Sequence, residues 1–148
     1  MKKSEIYGAC VLHQKEKIEE LQNAIDKVQE SIIGEENSTA GNKFETARAM
    51  GQEELDRLNQ TINHAIRDMN ILNQIDGDKP CGSAQLGALI ETDKKKMYMS
   101  VGVGKVELGS ETIFAISASS PIGQQLMGME AGGTVTFAGK KEKIVTIY

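Results

Sequence analysis

The stretch LQNAIDKVQESI, Leu21–Ile32, has an apolar residue at every third or fourth position. The same spacing continues upstream through Ile18 to Val11, with Gln14 as the one polar position in the series. A second series with this spacing lies further along the chain: Leu55, Leu58, Ile62, Ala65, Met69 and Leu72. Such spacing is typical of helices that pack together along a coiled-coil seam. The sequence therefore predicts two long helices.

The segment between the two series, GEENSTAGN (Gly34–Asn42), is short and rich in turn-forming residues. A short connection predicts that the two helices fold back on each other in antiparallel orientation. A register centred on Ser38 places Gln14 opposite Ile62. With a rise of about 1.5 Å per residue, arms of roughly 25 residues would be about 40 Å long.

The composition changes near Gly77. Only four of the fifteen glycines precede this residue, and both prolines follow it. The segment GDKPCGS, which starts at Gly77, is typical of a linker. The sequence therefore predicts an antiparallel coiled-coil hairpin in residues 1–76 with its tip at about 34–42, a linker in residues 77–84, and a β-rich domain in residues 85–148.

The last of these parts is predicted to be a small antiparallel sheet with one short helix, which makes the whole chain α+β. Ser120 is a good helix N-cap, Pro121 suits the first helical position, and Gly128 suits the position after the last turn. A hairpin turn is predicted at Gly139-Lys140. Five segments rich in Val, Ile, Thr and aromatic residues are the predicted strands: Gln85–Glu91, Met97–Val103, Thr112–Ser117, Thr134–Phe137 and Lys143–Tyr148.

The charge is unevenly distributed along the chain. Residues 1–78 carry 9 Lys+Arg against 15 Asp+Glu, and residues 79–148 carry 8 against 6. The acidic front half argues against direct DNA binding, because basic side chains must neutralise the phosphates, and it suits a basic protein surface better. No stretch is long and apolar enough for a signal peptide or a membrane helix, so a cytoplasmic protein without a membrane partner is predicted.

The C-terminal segment ISASSPIGQQLMGMEAGGTVTFAGKKEKIVTIY, Ile116–Tyr148, resembles the end of the Gre family of transcript cleavage factors. The similarity covers about Leu86–Tyr148, and a helical hairpin of similar size precedes this domain in the family. The matching positions are Ser120, Pro121, Ile122, Leu126, Gly128, Gly132 and Gly133, with Val135 and Ile144–Tyr148 in the strands.

The resemblance implies an FKBP-like domain that docks at the rim of the secondary channel of bacterial RNA polymerase, through Ser120, Pro121 and Ile122. It further implies that the hairpin enters the channel. There, acidic residues at the tip would help to hold a Mg²⁺ ion shared with the polymerase active site, which activates water for hydrolysis of backtracked RNA. The protein would bind no cofactor alone and would not be an enzyme in its own right.

The tip departs from the family pattern. Where Gre factors carry an Asp and a Glu, this chain has Ser38 and Gly41, and only Asn42 matches directly. Neither side chain can act as a carboxylate. The resemblance is therefore compatible with a cleavage factor and with a regulator that occupies the channel without stimulating cleavage.

The acidic residues nearest the tip are Glu35, Glu36 and Glu45. In a functional interpretation they replace the missing pair from a shifted frame. In the alternative, Glu35 and Glu36 are ordinary solvated acids, and Glu45 stabilises the N-terminus of the second helix through the helix dipole.

Other candidate residues have simpler interpretations. His13 and His64 lie at similar heights on the predicted hairpin and could suggest a metal site, but both should point outward and lack further ligands, so no metal is predicted. Cys10 and Cys81 lack a CxxC spacing and are predicted to be free thiols. The run Lys94–Lys96 could contact polymerase or RNA, but the prediction is a solvated turn.

Two other classes of function remain open from the sequence. One is a structural coiled-coil module with an unrelated partner. The other is a prolyl isomerase, which an FKBP-like fold could suggest, although few aromatic residues are available to line a pocket. Four aromatic residues of the C-terminal part are predicted to belong to the core: Tyr98, Phe114, Phe137 and Tyr148.

Overall fold

The structure is a computed structural model that describes the backbone of residues 2–38 and 42–148 and the side chains of residues 2–34 and 45–148. It confirms the α+β class. The elements in chain order are α1 (Lys3–Ser38), α2 (Asn42–Asn73), β1 (Leu89–Thr92), β2 (Lys96–Ser100), β3 (Gly104–Leu108), β4 (Glu111–Ser117), α3 (Pro121–Leu126), β5 (Thr134–Phe137) and β6 (Lys140–Ile147). The residues form two compact units, which are Gln14–Met69 and the residues up to His13 together with Asn70–Tyr148.

The unit Gln14–Met69 is a helical hairpin with the predicted apolar seam. Ile25, Leu55 and Ile62 are buried at its centre. Partly buried residues from the predicted series pack against them: Ile18, Leu21, Val28, Ile32 and Leu58. Within the described residues, no helix combines the length and apolarity needed to cross a bilayer.

The predicted register of the hairpin is wrong. The register centred on Ser38 would place Ile32 opposite Phe44, but the Ile32 side chain lies beside Gly51, seven residues further along α2. In the same direction, the buried Gln14 donates a 2.8 Å hydrogen bond from its side-chain amide to the carbonyl of Ala65. The helices also extend into the segment predicted as the tip, because α1 continues to Ser38 and α2 begins at Asn42. Glu, Ser and Asn are tolerated in a last helical turn, so the polar composition of this segment does not end the helix early.

The second unit is built around a sheet with six strands among the described residues, in the order β3-β4-β2-β1-β6-β5. All pairs are antiparallel except β2 with β4, which are parallel, so the prediction of a purely antiparallel sheet is wrong at this pair. Strand β3 was not predicted. The core on the side of α3 includes Ile90, Met97, Leu126 and Ile144, and the predicted linker contributes Cys81 and Ala84 to it.

The start of α1 and the end of α2 also belong to this second unit. Ile6 and Cys10 of α1 and Leu72 of α2 are fully buried. Lys3 connects distant segments, because its ammonium donates to the carbonyl oxygens of Lys79 at 2.6 Å, Gly87 at 3.0 Å and Tyr148 at 3.0 Å. The start of α1 is thereby tied to the end of the last strand.

The local signals around α3 are confirmed. Ser120 is the N-cap, Pro121 lies at the first helical position, and Gly128 has the positive φ of 85° that favours glycine just beyond a helix end. The last hairpin turn lies one residue earlier than predicted, at Ala138-Gly139.

Gly8 lies inside α1, is exposed, and has room for a side chain, since a Cβ there would meet nothing within 4 Å. We expect Gly8→Ala to raise the free energy of unfolding by about 1 kcal/mol, because glycine is a poor helix former. Urea unfolding followed by circular dichroism measures this change. Gly51→Ala is the matched control within α2, where a Cβ would lie 2.6 Å from the Ile32 side chain. An equal gain in both variants would contradict the packing at Gly51.

Tyr98 is fully buried, and within the described residues its hydroxyl has no hydrogen-bond partner. We expect Tyr98→Phe to raise the free energy of unfolding by about 1 kcal/mol, because an unpaired buried hydroxyl is destabilising. Tyr7→Phe is the control: the Tyr7 hydroxyl donates to the Leu72 carbonyl at 2.9 Å, so its loss should lower stability.

Because of Tyr98, we also expect the free energy of unfolding to depend on pH in the alkaline range. Burial raises the pKa of the Tyr98 phenol, and the nearby Cys10 and Tyr7 act in the same direction. In the unfolded state the phenol ionises near pH 10, whereas in the folded state it keeps its proton to higher pH. The free energy of unfolding therefore falls as pH rises above about 10. Tyr98→Phe should lose less stability than the wild type over that range. A parallel decline in both proteins would count against this origin.

Candidate functional site

The predicted tip residues lie at the junction of the two hairpin helices. Ser38 is the last residue of α1 and Asn42 the first of α2, whereas Gly41 and the side chains of Glu35 and Glu36 lie outside the described residues. Glu45 is exposed in the first turn of α2, a position where a carboxylate interacts favourably with the helix dipole. Their roles in metal binding stay predictions.

The predicted docking residues occupy the N-terminal end of α3. The Ser120 hydroxyl accepts a hydrogen bond from the Gly123 N–H at 3.1 Å and donates to the Ser117 carbonyl at 2.6 Å. Ile122 is buried in the core, while Pro121 is exposed. Of the three, Pro121 therefore offers its side chain most openly to a partner.

A second candidate site begins at the turn between β1 and β2. The Thr92 hydroxyl accepts hydrogen bonds from the N–H groups of Lys94 at 3.2 Å and Lys95 at 3.0 Å. The Thr92 N–H in turn donates to the Lys95 carbonyl at 2.9 Å. This local hydrogen bonding, which is typical of threonine in turns, fixes the backbone from which the Lys95 side chain extends.

Lys95 lies against one buried carboxylate and two aromatic rings. Its ammonium is 3.3 Å from the Glu142 carboxylate, and the two side chains are 21% and 4% exposed. The ammonium also lies 3.9 Å from the ring centroid of Phe137 and 5.9 Å from that of Phe114. Distances within about 6 Å allow attraction between a cation and an aromatic face. We call Lys95, Glu142, Phe114 and Phe137 the Lys95 cluster.

The Lys95 cluster corrects two predictions. The lysine run is not simply solvated, because Lys95 is paired with Glu142 and Lys96 with Glu111 at 2.9 Å. Three of the four aromatic residues assigned to the core are partly exposed, and only Tyr98 is buried. The exposed side chains are Phe114 at 37%, Phe137 at 43% and Tyr148 at 48%.

One sequence signal could have located the cluster. In β6, Glu142 and the buried Ile144 are two positions apart, so their side chains point to the same face of the strand. The Glu142 carboxylate is therefore on the buried face. Acidic side chains are rarely buried without a cation, so this position points to a basic partner elsewhere. The partner itself, Lys95, lies on a distant turn and could not be chosen from among the neighbouring lysines.

The predicted exposure of the histidines and the predicted free thiols are confirmed. His13 and His64 are both exposed, as predicted. Among the described residues there is no group of three or more His, Cys, Asp or Glu side chains arranged to hold a metal ion. Cys10 and Cys81 are buried free thiols, and burial raises the pKa of Cys10.

Neither models of known protein families nor curated proteins match this sequence.

Proposed function

We propose that this protein binds bacterial RNA polymerase at its secondary channel and regulates transcription elongation there. The observation that carries the proposal is the order of elements: a long antiparallel helical hairpin followed by a sheet whose helix α3 starts at the Ser120–Pro121 cap. This is the order that the resemblance to the Gre factors implies. Such a role belongs to the bacterial cytoplasm.

The charge of the hairpin supports a protein partner. Gln14–Met69 contains 7 Lys+Arg and 12 Asp+Glu. This acidic balance opposes binding along a nucleic-acid backbone and favours a basic protein surface. The polymerase, rather than DNA, is therefore the proposed direct partner.

Binding and cleavage depend on different residues in this proposal. Binding uses the hairpin and the exposed Pro121 at the start of α3. Cleavage would need carboxylates at the tip to position a Mg²⁺ ion at the polymerase active site, because a divalent cation lowers the pKa of bound water and stabilises the developing charge. Ser38 and Gly41 supply none, so Glu35 and Glu36 are the candidates.

The first test is binding to purified core polymerase. We expect a complex with wild-type protein, weaker binding of Pro121→Ala, and unchanged binding of the control Gln125→Ala, which alters another exposed residue of α3. Absence of a complex with the wild type would overturn the proposal and favour a structural module with another partner.

The second test uses stalled elongation complexes with backtracked RNA. Release of short 3′ fragments that is lost in a Glu35→Ala/Glu36→Ala variant would identify a cleavage factor. The control Glu19→Ala/Glu20→Ala removes the same charge from an exposed part of α1. Binding that changes elongation or pausing without fragment release would identify a regulator that does not stimulate cleavage.

A further inference from the structure

The Glu142 carboxylate has fewer hydrogen bonds than its burial demands. Its Oε1 lies 3.4 Å from the Thr92 hydroxyl, whose single hydrogen can instead be donated to the Lys95 carbonyl at 3.1 Å. Within the described residues its Oε2 accepts no hydrogen bond, although the Lys95 ammonium stands 3.3 Å away. A buried carboxylate normally has both oxygens engaged by well-oriented donors. Within the described residues, Lys95 therefore pairs with Glu142 as an ion pair that lacks a well-oriented hydrogen bond to Oε2.

A guanidinium group would fit this environment better than an ammonium group. It presents parallel N–H donors that can engage both oxygens of one carboxylate, and its planar face stacks on aromatic rings. Phe137 and Phe114 lie on the same ammonium that pairs with Glu142, and both rings are partly exposed. The cluster thus combines the two groups that recognise arginine.

The present occupant can leave without unfolding the turn that carries it. The backbone of this turn is held by Thr92, which bonds to the main chain of Lys94 and Lys95 and not to the Lys95 side chain. That side chain is 21% exposed, so it borders solvent on one side. Strand β6 keeps Glu142 in place through its pairing with Val135.

We propose that the Lys95 cluster is a binding site for an arginine side chain of a partner protein, with Lys95 as an internal occupant that the arginine displaces. Charge complementarity identifies this occupant, because the groups that now surround the Lys95 ammonium are one buried carboxylate and two aromatic rings. The inference is independent of the proposed function. Because Lys95 competes for the site, the apparent affinity for arginine equals the intrinsic affinity multiplied by the fraction of molecules in which Lys95 has left the site.

The test measures binding of N-acetylarginine amide to isotopically labelled protein, followed by the amide shifts of Thr92, Phe137 and Glu142. Lys95→Ala opens the site, and we expect it to bind the probe about a hundredfold more tightly than the wild type does, since displacing Lys95 from Glu142 costs the wild type about 3 kcal/mol. The neutral analogue N-acetylcitrulline amide should not bind, and the double variant Lys95→Ala/Glu142→Gln should not respond to the arginine probe. A folded Lys95→Ala protein that ignores the arginine probe would overturn the proposal.

Equal binding of N-acetyllysine amide would also overturn the assignment to arginine, because the site would then not distinguish a guanidinium from an ammonium. A second variant keeps the idea testable if Lys95→Ala does not fold. Lys95→Arg should raise the melting temperature above that of the wild type, and Glu142→Gln in the same background should remove the gain. A lower melting temperature in Lys95→Arg contradicts the preference for a guanidinium.

Discussion

Lys95→Ala should lower the free energy of unfolding by about 3 kcal/mol, because it leaves the Glu142 carboxylate buried without its cation. Loss of the contact between the ammonium and the Phe137 ring adds to this effect. Urea unfolding followed by far-ultraviolet circular dichroism measures the change. The control is Lys94→Ala, which removes the same charge from the adjacent exposed position and should have an effect within about 0.5 kcal/mol.

A double variant separates the unpaired charge from lost packing. In Lys95→Ala/Glu142→Gln the buried carboxylate is gone, so much of the stability lost in Lys95→Ala should return. If the two substitutions were simply additive, Lys95 and Glu142 would not interact and the ion pair would have no energetic role.

Gly123→Ala should destabilise the protein by about 3 kcal/mol or more. A Cβ at this buried position of α3 would overlap the carbonyl oxygen of Ser117 and lie 3.0 Å from the Cα of Ala118. Both neighbours are backbone atoms, so no side chain can rotate away. The Ser117 carbonyl is also held by hydrogen bonds from the Ser120 N–H at 3.2 Å and the Ser120 hydroxyl.

Thermal and urea unfolding of Gly123→Ala can be compared with Gly82→Ala. A Cβ at Gly82 would meet nothing within 4 Å, so this control should unfold almost as the wild type does. Similar unfolding of the two variants would contradict the close approach of α3 to the end of β4.

The sequence predicted those parts of the fold that depend on neighbours along the chain. The two helices follow from apolar residues three and four positions apart, and the start of α3 follows from Ser120 and Pro121, whose effects are confined to one turn. Such local signals do not depend on how distant parts of the chain pack.

The register of the hairpin could not be fixed in the same way. A seam that repeats every three or four residues still pairs apolar side chains when one helix slides by about that distance. One polar group contributes to the choice, because the buried Gln14 needs a hydrogen-bond partner and donates to the carbonyl of Ala65 within α2.

Strand β3 and the parallel pairing of β2 with β4 were missed for a related reason. The sequence GKVEL of β3 contains a single buried residue, Val106, and the strand lies at an edge of the sheet. Short polar edge strands carry little alternation. The pairing of β2 with β4 depends on packing across the whole sheet, and no local sequence pattern indicates it.

The candidate site was only partly accessible from the sequence. The resemblance pointed to Ser120, Pro121 and Ile122, but it could not show that Ile122 is buried while Pro121 is exposed. The Lys95 cluster was missed because three consecutive lysines have the same chemistry, and only the folded sheet determines which of them meets Glu142.

The contact between Lys3 and the Tyr148 carbonyl has a consequence for the rate of folding. These groups are 145 residues apart in the sequence, yet they are joined at 3.0 Å. Contacts between distant residues slow folding, whereas a helical hairpin closes over a short loop. We expect refolding in two phases, a fast one for Gln14–Met69 and a slower one for the sheet. During synthesis the hairpin can form early, whereas the sheet must wait until its last strand has left the ribosome.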